Sequence, residues 1–307
     1  MSLLVLDPGI DSRIVDLGRP RTRSLGVSVG GAADRRSLAL GNALVGNPDD
    51  AAGLEIALKG PRLRAEQEVG CVLFGAPFEI TRDGYPIEPG DTFTLHVGEE
   101  LRIGGARCGW HAYLCVRHGF DVPKILASSS ALDALRGGER LVCAPSRIHR
   151  RYCAEITPHH PDVCMLMVLP GLQASWFDEA EFFRQIFTVT PASNRMGVRL
   201  TGTPLAMPTR EMISEPVCPG SVQVTRDGQC IVLGVDGQTI GGYPKIAQVI
   251  QPHLNLLGQA RPGQQLKFVK STMPVALETG RTMRDTLDQW TRRLRLSLDA
   301  FPADRTL

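Results

Sequence analysis

A chain of 307 residues is long enough for about two ordinary domains and a sizeable core. With 43% hydrophobic and 21% charged residues, it has neither the polar excess of a disordered chain nor the apolar excess of a membrane protein. A formal net charge of +2 offers no counter-ion sink for a phosphate backbone, which argues against a nucleic-acid partner.

The N-terminus, Met1-Ser2-Leu3-Leu4-Val5-Leu6-Asp7, lacks a basic region followed by an apolar core and a cleavage site, so no signal peptide is visible. Apolar stretches such as 164–170 fall far short of the roughly 20 residues a spanning helix needs, and a cytoplasmic location without a membrane partner is expected. Glycine (32) and proline (22) are spread throughout, punctuating many short β-branched or apolar runs, and that pattern reads as mostly β. In chain order, a helix capped by Asp34 runs to Val45 and is ended by Gly46 with Asn47-Pro48 behind it. Strands are expected at 54–58, 71–74, 92–97, 112–116, 164–169, 198–201, 221–224, 230–235, 247–250 and 265–269. Asp83-Gly84 and Asp227-Gly228 each sit between two such runs, as tight hairpin connections, because glycine accepts positive φ. Ser175 and Asp178 make a capping-box-like start, with Phe177, Ala180, Phe183 and Phe187 at helical spacing. Near the C-terminus Thr282 caps a helix whose Met283, Leu287, Trp290, Leu294 and Leu298 share one face that docks on the body. A boundary falls within 143–161, a basic, proline-interrupted connector, giving an N-terminal domain over 1–150 and a C-terminal domain over 151–307.

Eight scattered cysteines in a chain this long read as reduced, mostly buried thiols. No CxxC or HExxH occurs, so no metal ligands are assigned. No phosphate loop, dinucleotide fingerprint, nucleophile elbow or kinase motif is present. Any ATP is therefore not bound by a standard motif, and without a Met-Lys-Met acceptor no biotin is attached to this chain.

Two stretches remain that can carry chemistry. In the first, Asp16-Leu17-Gly18-Arg19-Pro20 leads through Gly26, Gly30 and Gly31 to Asp34. Arg19 can hold a carboxylate or phosphate bidentately, or simply pair with an acid such as Asp16. In the second, Asn194-Arg195-Met196-Gly197 precedes Ser214-Glu215-Pro216-Val217, Gln223, and Asp236-Gly237-Gln238-Thr239-Ile240-Gly241-Gly242-Tyr243-Pro244-Lys245. Cations, acids, amides and hydroxyls at strand ends suit a small polar substrate. Lys245 can serve as cation or base, and Glu215 or Asp236 can take a proton or orient Arg195. Structurally, Asp236 can equally cap an Asx turn, and Glu215 can be satisfied by backbone N–H groups.

These residues also carry a resemblance. From Asp16-Leu17-Gly18-Arg19 through Ala43-Leu44-Val45-Gly46-Asn47-Pro48 and Leu54-Glu55 to Gln238-Thr239-Ile240-Gly241-Gly242-Tyr243-Pro244-Lys245-Ile246-Ala247, the chain resembles the KipA-like family. That family is also called allophanate hydrolase subunit 2 or the biotin-dependent carboxyltransferase family, and its members include the C-type polypeptide of bacterial 5-oxoprolinase. The resemblance implies two cyclophilin-like β-barrel domains, with a few short helices and a C-terminal helix. It further implies a subunit that acts with KipI-like and LamB/YcsF-like partners in the ATP-dependent hydrolysis of 5-oxoproline, a small cyclic amide, to glutamate. A carboxyltransferase role towards urea or allophanate, or regulatory binding of a KipI-like protein without chemistry, are the family's other branches. On the hydrolase reading Arg195, Glu215, Asp236 and Lys245 are the catalytic candidates, and Arg19, Gln223, Thr239, Gly241, Gly242 and Tyr243 bind substrate. The sequence departs from the family pattern at Val15 and Ser28, at Asp236-Gly237-Gln238-Thr239, and at 127–138, where an arginine and most of a glycine-rich loop are missing.

Overall fold

The computed structural model of the chain describes residues 2–154, 157–210 and 212–299. The chain divides into two compact units. The first comprises 1–18, 34–159 and 285–307, and the second 19–33 and 160–284. The units are therefore not two consecutive halves: a short N-terminal segment belongs to the second, and the described residues from 285 onward to the first. The last stretch of the expected C-terminal domain, 300–307, lies outside the described residues.

The first unit carries β1 (Ser2–Asp7), β2 (Asp11–Val15), α1 (Arg35–Leu44), β3 (Gly53–Ala57), β4 (Arg62–Ala65), β5 (Val69–Gly75), β6 (Phe78–Arg82), β7 (Tyr85–Ile87), β8 (Thr92–Leu95), β9 (Glu100–Ala106), β10 (His111–Val116) and β11 (Arg140–Val142). They form a six-stranded sheet, β11-β1-β4-β9-β6-β7, and a five-stranded sheet, β2-β3-β10-β5-β8. Between the sheets lies one apolar core that includes Leu3, Leu63, Phe78 and Leu101 from the first and Leu54, Val69, Leu73 and Leu114 from the second. β4 alternates exposed and buried along Arg62–Ala65, the period-2 pattern of a strand with one wet face. As expected, Asp34 caps α1, accepting from the Ser37 backbone N–H at 3.1 Å. Asp83 and Gly84, both at positive φ, join β6 to β7 as a two-residue turn.

The start of the stretch expected to depart from the resembled family's pattern is an ordered turn in this unit. Ile125 and Ser128 exchange backbone hydrogen bonds across Leu126 and Ala127, which stand at φ 51° and 63°. That is left-handed backbone carried by residues with a Cβ. Ala127→Gly is expected to stabilise the unit by about 1 kcal/mol, because glycine removes the Cβ clash at positive φ. A urea-denaturation midpoint unchanged or lowered in the variant contradicts this. The turn delivers Ser128, Ser129 and Ser130 to Asp16. The Ser128 and Ser130 hydroxyls donate to Oδ1 at 2.6 Å each, and the Ser129 backbone N–H donates to Oδ2 at 2.6 Å.

The second unit holds β12 (Val163–Pro170), α2 (Glu179–Arg184), β13 (Phe187–Val189), β14 (Gly197–Thr201), β15 (Glu215–Pro216), β16 (Ser221–Val224), β17 (Cys230–Leu233), β18 (Ile240–Gly241), β19 (Lys245–Val249), α3 (Leu254–Gly258) and β20 (Gln265–Lys270). Seven of these strands close a barrel in the order β12-β19-β16-β17-β14-β13-β20. The ring closes where β12 pairs parallel with β20, from Val163↔Gln265 to Val168↔Lys270. β15 and β18 form a separate two-stranded ribbon. α4 (Met273–Asp299) ends the described chain, the border between the units falling after Arg284. Among the described residues no helix is long and apolar enough to cross a membrane.

The mostly β architecture with few short helices and a C-terminal helix is what the sequence predicts, and all ten expected strands are present. Four local expectations need correction. Asp178, rather than Ser175, caps α2, accepting from the backbone N–H groups of Ala180 and Glu181. Phe182 is the buried helical ring in place of Phe183; it stacks on Phe268 with centroids 4.8 Å apart, while Phe187 joins the cluster from β13. α4 starts at Met273, nine positions before Thr282. Thr272 accepts the first helical N–H, from Ala276, and Pro274 is tolerated in the first turn, where its missing N–H has no partner to lose. The connection at Asp227-Gly228 is longer than a two-residue turn: Val224 pairs with Cys230, and the Gly228 N–H closes onto the Thr225 carbonyl at 2.9 Å.

Candidate functional site

The predicted site residues gather in the second unit, in two clusters joined by the segment 234–244 between β17 and β19. Arg195 lies just before β14 and Asp236 just after β17, strands that pair antiparallel. Their adjacency brings Arg195 Nε to 2.6 Å from Asp236 Oδ2, and Nη2 to 3.1 Å from Oδ1. Nη2 also donates to the Gly31 carbonyl at 2.7 Å, and the Gly30 N–H donates to the Val235 carbonyl at 2.9 Å. A Cβ added to Gly30 would stand 3.0 Å from Arg19 Nη1 and 3.8 Å from Asp236 Oδ1, so Arg19 belongs to this cluster. Bidentate geometry on a guanidinium with 8% of its side chain exposed makes this pair a clamp on two loops. Asp236 thus orients Arg195, one of the roles expected for it, and its carboxylate is engaged by a side chain beyond any Asx turn.

The second cluster surrounds Lys245, the first residue of β19. Lys245 is the register partner of Gln223 on β16, across an irregularity after Val222. Its side chain is 7% exposed, and its Nζ donates to Glu215 Oε1. The same oxygen accepts from Gln173 Nε2 at 2.8 Å. Gln173 closes the arrangement, since its Oε1 accepts from the Lys245 backbone N–H at 3.0 Å and its own N–H donates to the Lys245 carbonyl at 3.1 Å. Glu215 is therefore satisfied by a lysine and a glutamine side chain and not by backbone N–H groups. The hydrogen bond from Lys245, more than that from Gln173, holds its carboxyl below the usual glutamate range against the opposing effect of burial. A carboxylate so held is ionised at neutral pH, a good hydrogen-bond acceptor and a weak base. Gln173 was invisible to sequence reasoning; the only local signal is the Gly171-Leu172 pair that ends β12 and turns the chain back along Lys245.

Thr239 contributes its backbone carbonyl, which accepts from Val217 at 3.0 Å and extends the ribbon in which Glu215 faces Gly241. Gly241 lies against two side-chain amides, those of Gln223 and Gln238, and a Cβ at Gly242 would stand 3.2 Å from Ser214 Oγ. Tyr243 is 39% exposed beside them, and Ile240 on the ribbon and Ile213, two residues ahead of β15, are exposed. None of the predicted residues lines the cleft of about 670 Å³ in the first unit, which runs past Arg82, Asp91, His96 and Arg147. Its cations already face carboxylates, Arg150 on Asp91 and Arg147 on Glu68. Among the described residues no three His, Cys, Asp or Glu side chains are placed to hold a metal ion.

A profile of the carboxyltransferase domain, subdomains A and B, matches residues 25–270, a span that holds both clusters except for Arg19. The chain belongs to this carboxyltransferase-domain family. Within the family it is 34% identical to the C-type polypeptide of 5-oxoprolinase from Haemophilus influenzae, covering 93% of this chain and 96% of that one. It is 33% identical to the C-type polypeptide of 5-oxoprolinase from Escherichia coli K12, covering 95% and 98%. The crystal structure of K. lactis urea amidolyase superposes with a TM-score of 0.86 at 25% identity over 94% of this chain, which spans only 20% of that longer chain.

Proposed function

We propose that the chain is the C-type polypeptide of an ATP-dependent 5-oxoprolinase, working with a KipI-like and a LamB/YcsF-like chain in the cytoplasm to open the lactam of 5-oxoproline to glutamate. The observation that carries this reading is end-to-end correspondence. The two relatives named for 5-oxoprolinase match over nearly their whole length, whereas the urea amidolyase chain is several times longer. The geometry is compatible with it. An ionised Glu215, pinned through Oε1 by Lys245 and Gln173, can accept an amide N–H through its other oxygen. Lys245 places its Nζ beside the place where charge develops on the amide oxygen. Arg195, clamped by Asp236, holds the segment 234–244 on which Thr239, Gly241, Gly242 and Tyr243 are presented to the substrate. ATP supplies the activation that an unstrained lactam lacks, and this chain binds and orients the amide, with no biotin attached to it.

The test is ATP-dependent release of glutamate from 5-oxoproline by the chain co-purified with its KipI-like and LamB/YcsF-like neighbours, each omitted in turn. Activity that needs all three is the expected result. A stable complex without activity overturns the reading. Carboxyl transfer to urea, favoured by the fold match to the urea amidolyase, is tested by supplying a carboxylated biotin carrier. Regulatory binding to a KipI-like protein remains if neither reaction occurs.

A further inference from the structure

The path of the chain after β12 delivers one side chain to the Lys245–Glu215 pair. β12 ends with Pro170 opposite Ala247 on β19. Beyond it the chain keeps running along β19: the Gly171 N–H donates to the Ile246 carbonyl at 2.9 Å, and the Gln173 N–H to the Lys245 carbonyl at 3.1 Å. Glycine is what permits this approach, because a Cβ at position 171 would stand 2.2 Å from the Lys245 carbonyl oxygen. Leu172, between them, is 77% exposed, so burial of an apolar side chain does not hold the segment there. Gln173 itself is 9% exposed.

The Gln173 carboxamide uses both of its ends. Oε1 accepts from the Lys245 backbone N–H at 3.0 Å, and Nε2 donates to Glu215 Oε1 at 2.8 Å, the same oxygen that accepts from Lys245 Nζ. Its two partners lie 72 and 42 positions away in the chain, one on β19 and one on the β15–β18 ribbon. That ribbon is not a member of the barrel ring, so the barrel's own hydrogen bonds place Lys245 but not Glu215. A carboxamide carries donor and acceptor on one rigid plane, which neither a carboxylate nor an apolar side chain of its size does.

We propose that Gln173 is the positioning residue of the Lys245–Glu215 pair, tying the Lys245 backbone to the Glu215 carboxylate so that the pair keeps one geometry towards an amide substrate. This rests on the amide-processing reading above and deepens it. The groups that lower the Glu215 pKa are Lys245, from β19, whose hydrogen bond has the largest effect, and Gln173, from the segment after β12; burial opposes both.

Two variants test the role. Gln173→Met removes both side-chain bonds and adds no charge. Gln173→Glu sets a carboxylate against Glu215 when ionised, but once protonated it regains a donor and an acceptor on one plane. Carbon-detected NMR follows the Glu215 carboxyl through a pH titration of the full chain, its resonance assigned by its absence in Glu215→Gln. The Glu215 midpoint is expected to rise in Gln173→Met. In the assembled complex each variant should lose about tenfold or more in kcat for glutamate release near neutral pH. Relative to wild type, the rate of Gln173→Met should fall further towards acid, whereas that of Gln173→Glu should recover as its carboxyl takes up a proton. A purely structural residue gives an unmoved midpoint and rate ratios that follow only the folded fraction, measured alongside by circular dichroism. An unchanged Glu215 midpoint in Gln173→Met, or rate ratios of the two variants that run the same course with pH, overturns the proposal. A raised midpoint in Gln173→Met, found while the wild-type complex releases no glutamate, supports the tie between Gln173 and Glu215 and counts against the oxoprolinase reading.

Discussion

Lys245→Met is expected to lower ATP-dependent glutamate release by the assembled complex about 100-fold, with the chain still folded. Lys245 is 5% exposed, and methionine fills a similar apolar volume without bringing in a charge. What the substitution removes is the positive partner of Glu215, leaving that carboxylate to Gln173 alone. Because the lysine hydrogen bond is the main cause of the lowered Glu215 pKa, its loss lets the pKa rise towards the ordinary glutamate value. The acidic limb of the pH–rate profile should therefore move to higher pH in the variant. Measuring that profile separates the proposal from a purely structural role, which lowers the rate at every pH by the same factor. Glu215→Gln makes the informative comparison, since it strands the lysine charge in a buried position and should destabilise the fold as well.

Asp16→Ala is expected to cost about 3 kcal/mol or more of unfolding free energy at neutral pH, measured by urea denaturation. The carboxylate is 6% exposed and accepts from Ser128, Ser130 and the backbone N–H groups of Gly18 and Ser129. All four donors lose their acceptor together. Burial by itself acts to raise the Asp16 pKa, and these hydrogen bonds more than offset it, so the folded value lies below the ordinary one. A group whose pKa is depressed by folding contributes its full stability above its unfolded pKa and loses it as pH falls through the folded value. The gap between wild type and Asp16→Ala should thus be widest at neutral pH and close in acid. A gap that is constant from neutral pH down to about pH 3 would sink the assignment. The serines lie within 127–138, the stretch expected from the sequence to depart from the family pattern, and in the fold they anchor the Asp16-Leu17-Gly18 turn.

The elements visible in the sequence were those with a strong local signal. The ten expected strands are apolar or β-branched runs ended by turn residues, and α1 announces itself through Asp34 before it and Gly46 behind it. Strands such as β4 and β9 give no clear local signal because arginine, glutamate and glycine interrupt them, and their placement comes from pairing with β1 and with each other. α4 starts ahead of the Thr282 cap that the sequence suggests, and Pro274 is harmless because it sits in the first turn. The helical spacing of α2 points to Phe183, one residue from the ring that is buried, since Phe182 and Phe183 are equivalent in sequence and only the position of Phe268 decides between them.

By itself the sequence determined the composition of the candidate site: which cations, carboxylates, amides and glycines are available, the strand ends on which they stand, and the family to which their order corresponds. Only the tertiary structure decided which group meets which. Arg195 and Asp236 are 41 positions apart and Glu215 and Lys245 are 30 apart, so no local propensity links them. Strand register does, through the β14–β17 pairing for the first pair and, for the second, the β16–β19 pairing with the β15–β18 ribbon that carries Glu215. Register also brings in Gln173, which no motif marks. It leaves Gln223 Nε2 buried and, among the described residues, without a hydrogen-bond partner beside Gly241, because the facing of side chains along β16 is set by pairing partners far away in the chain.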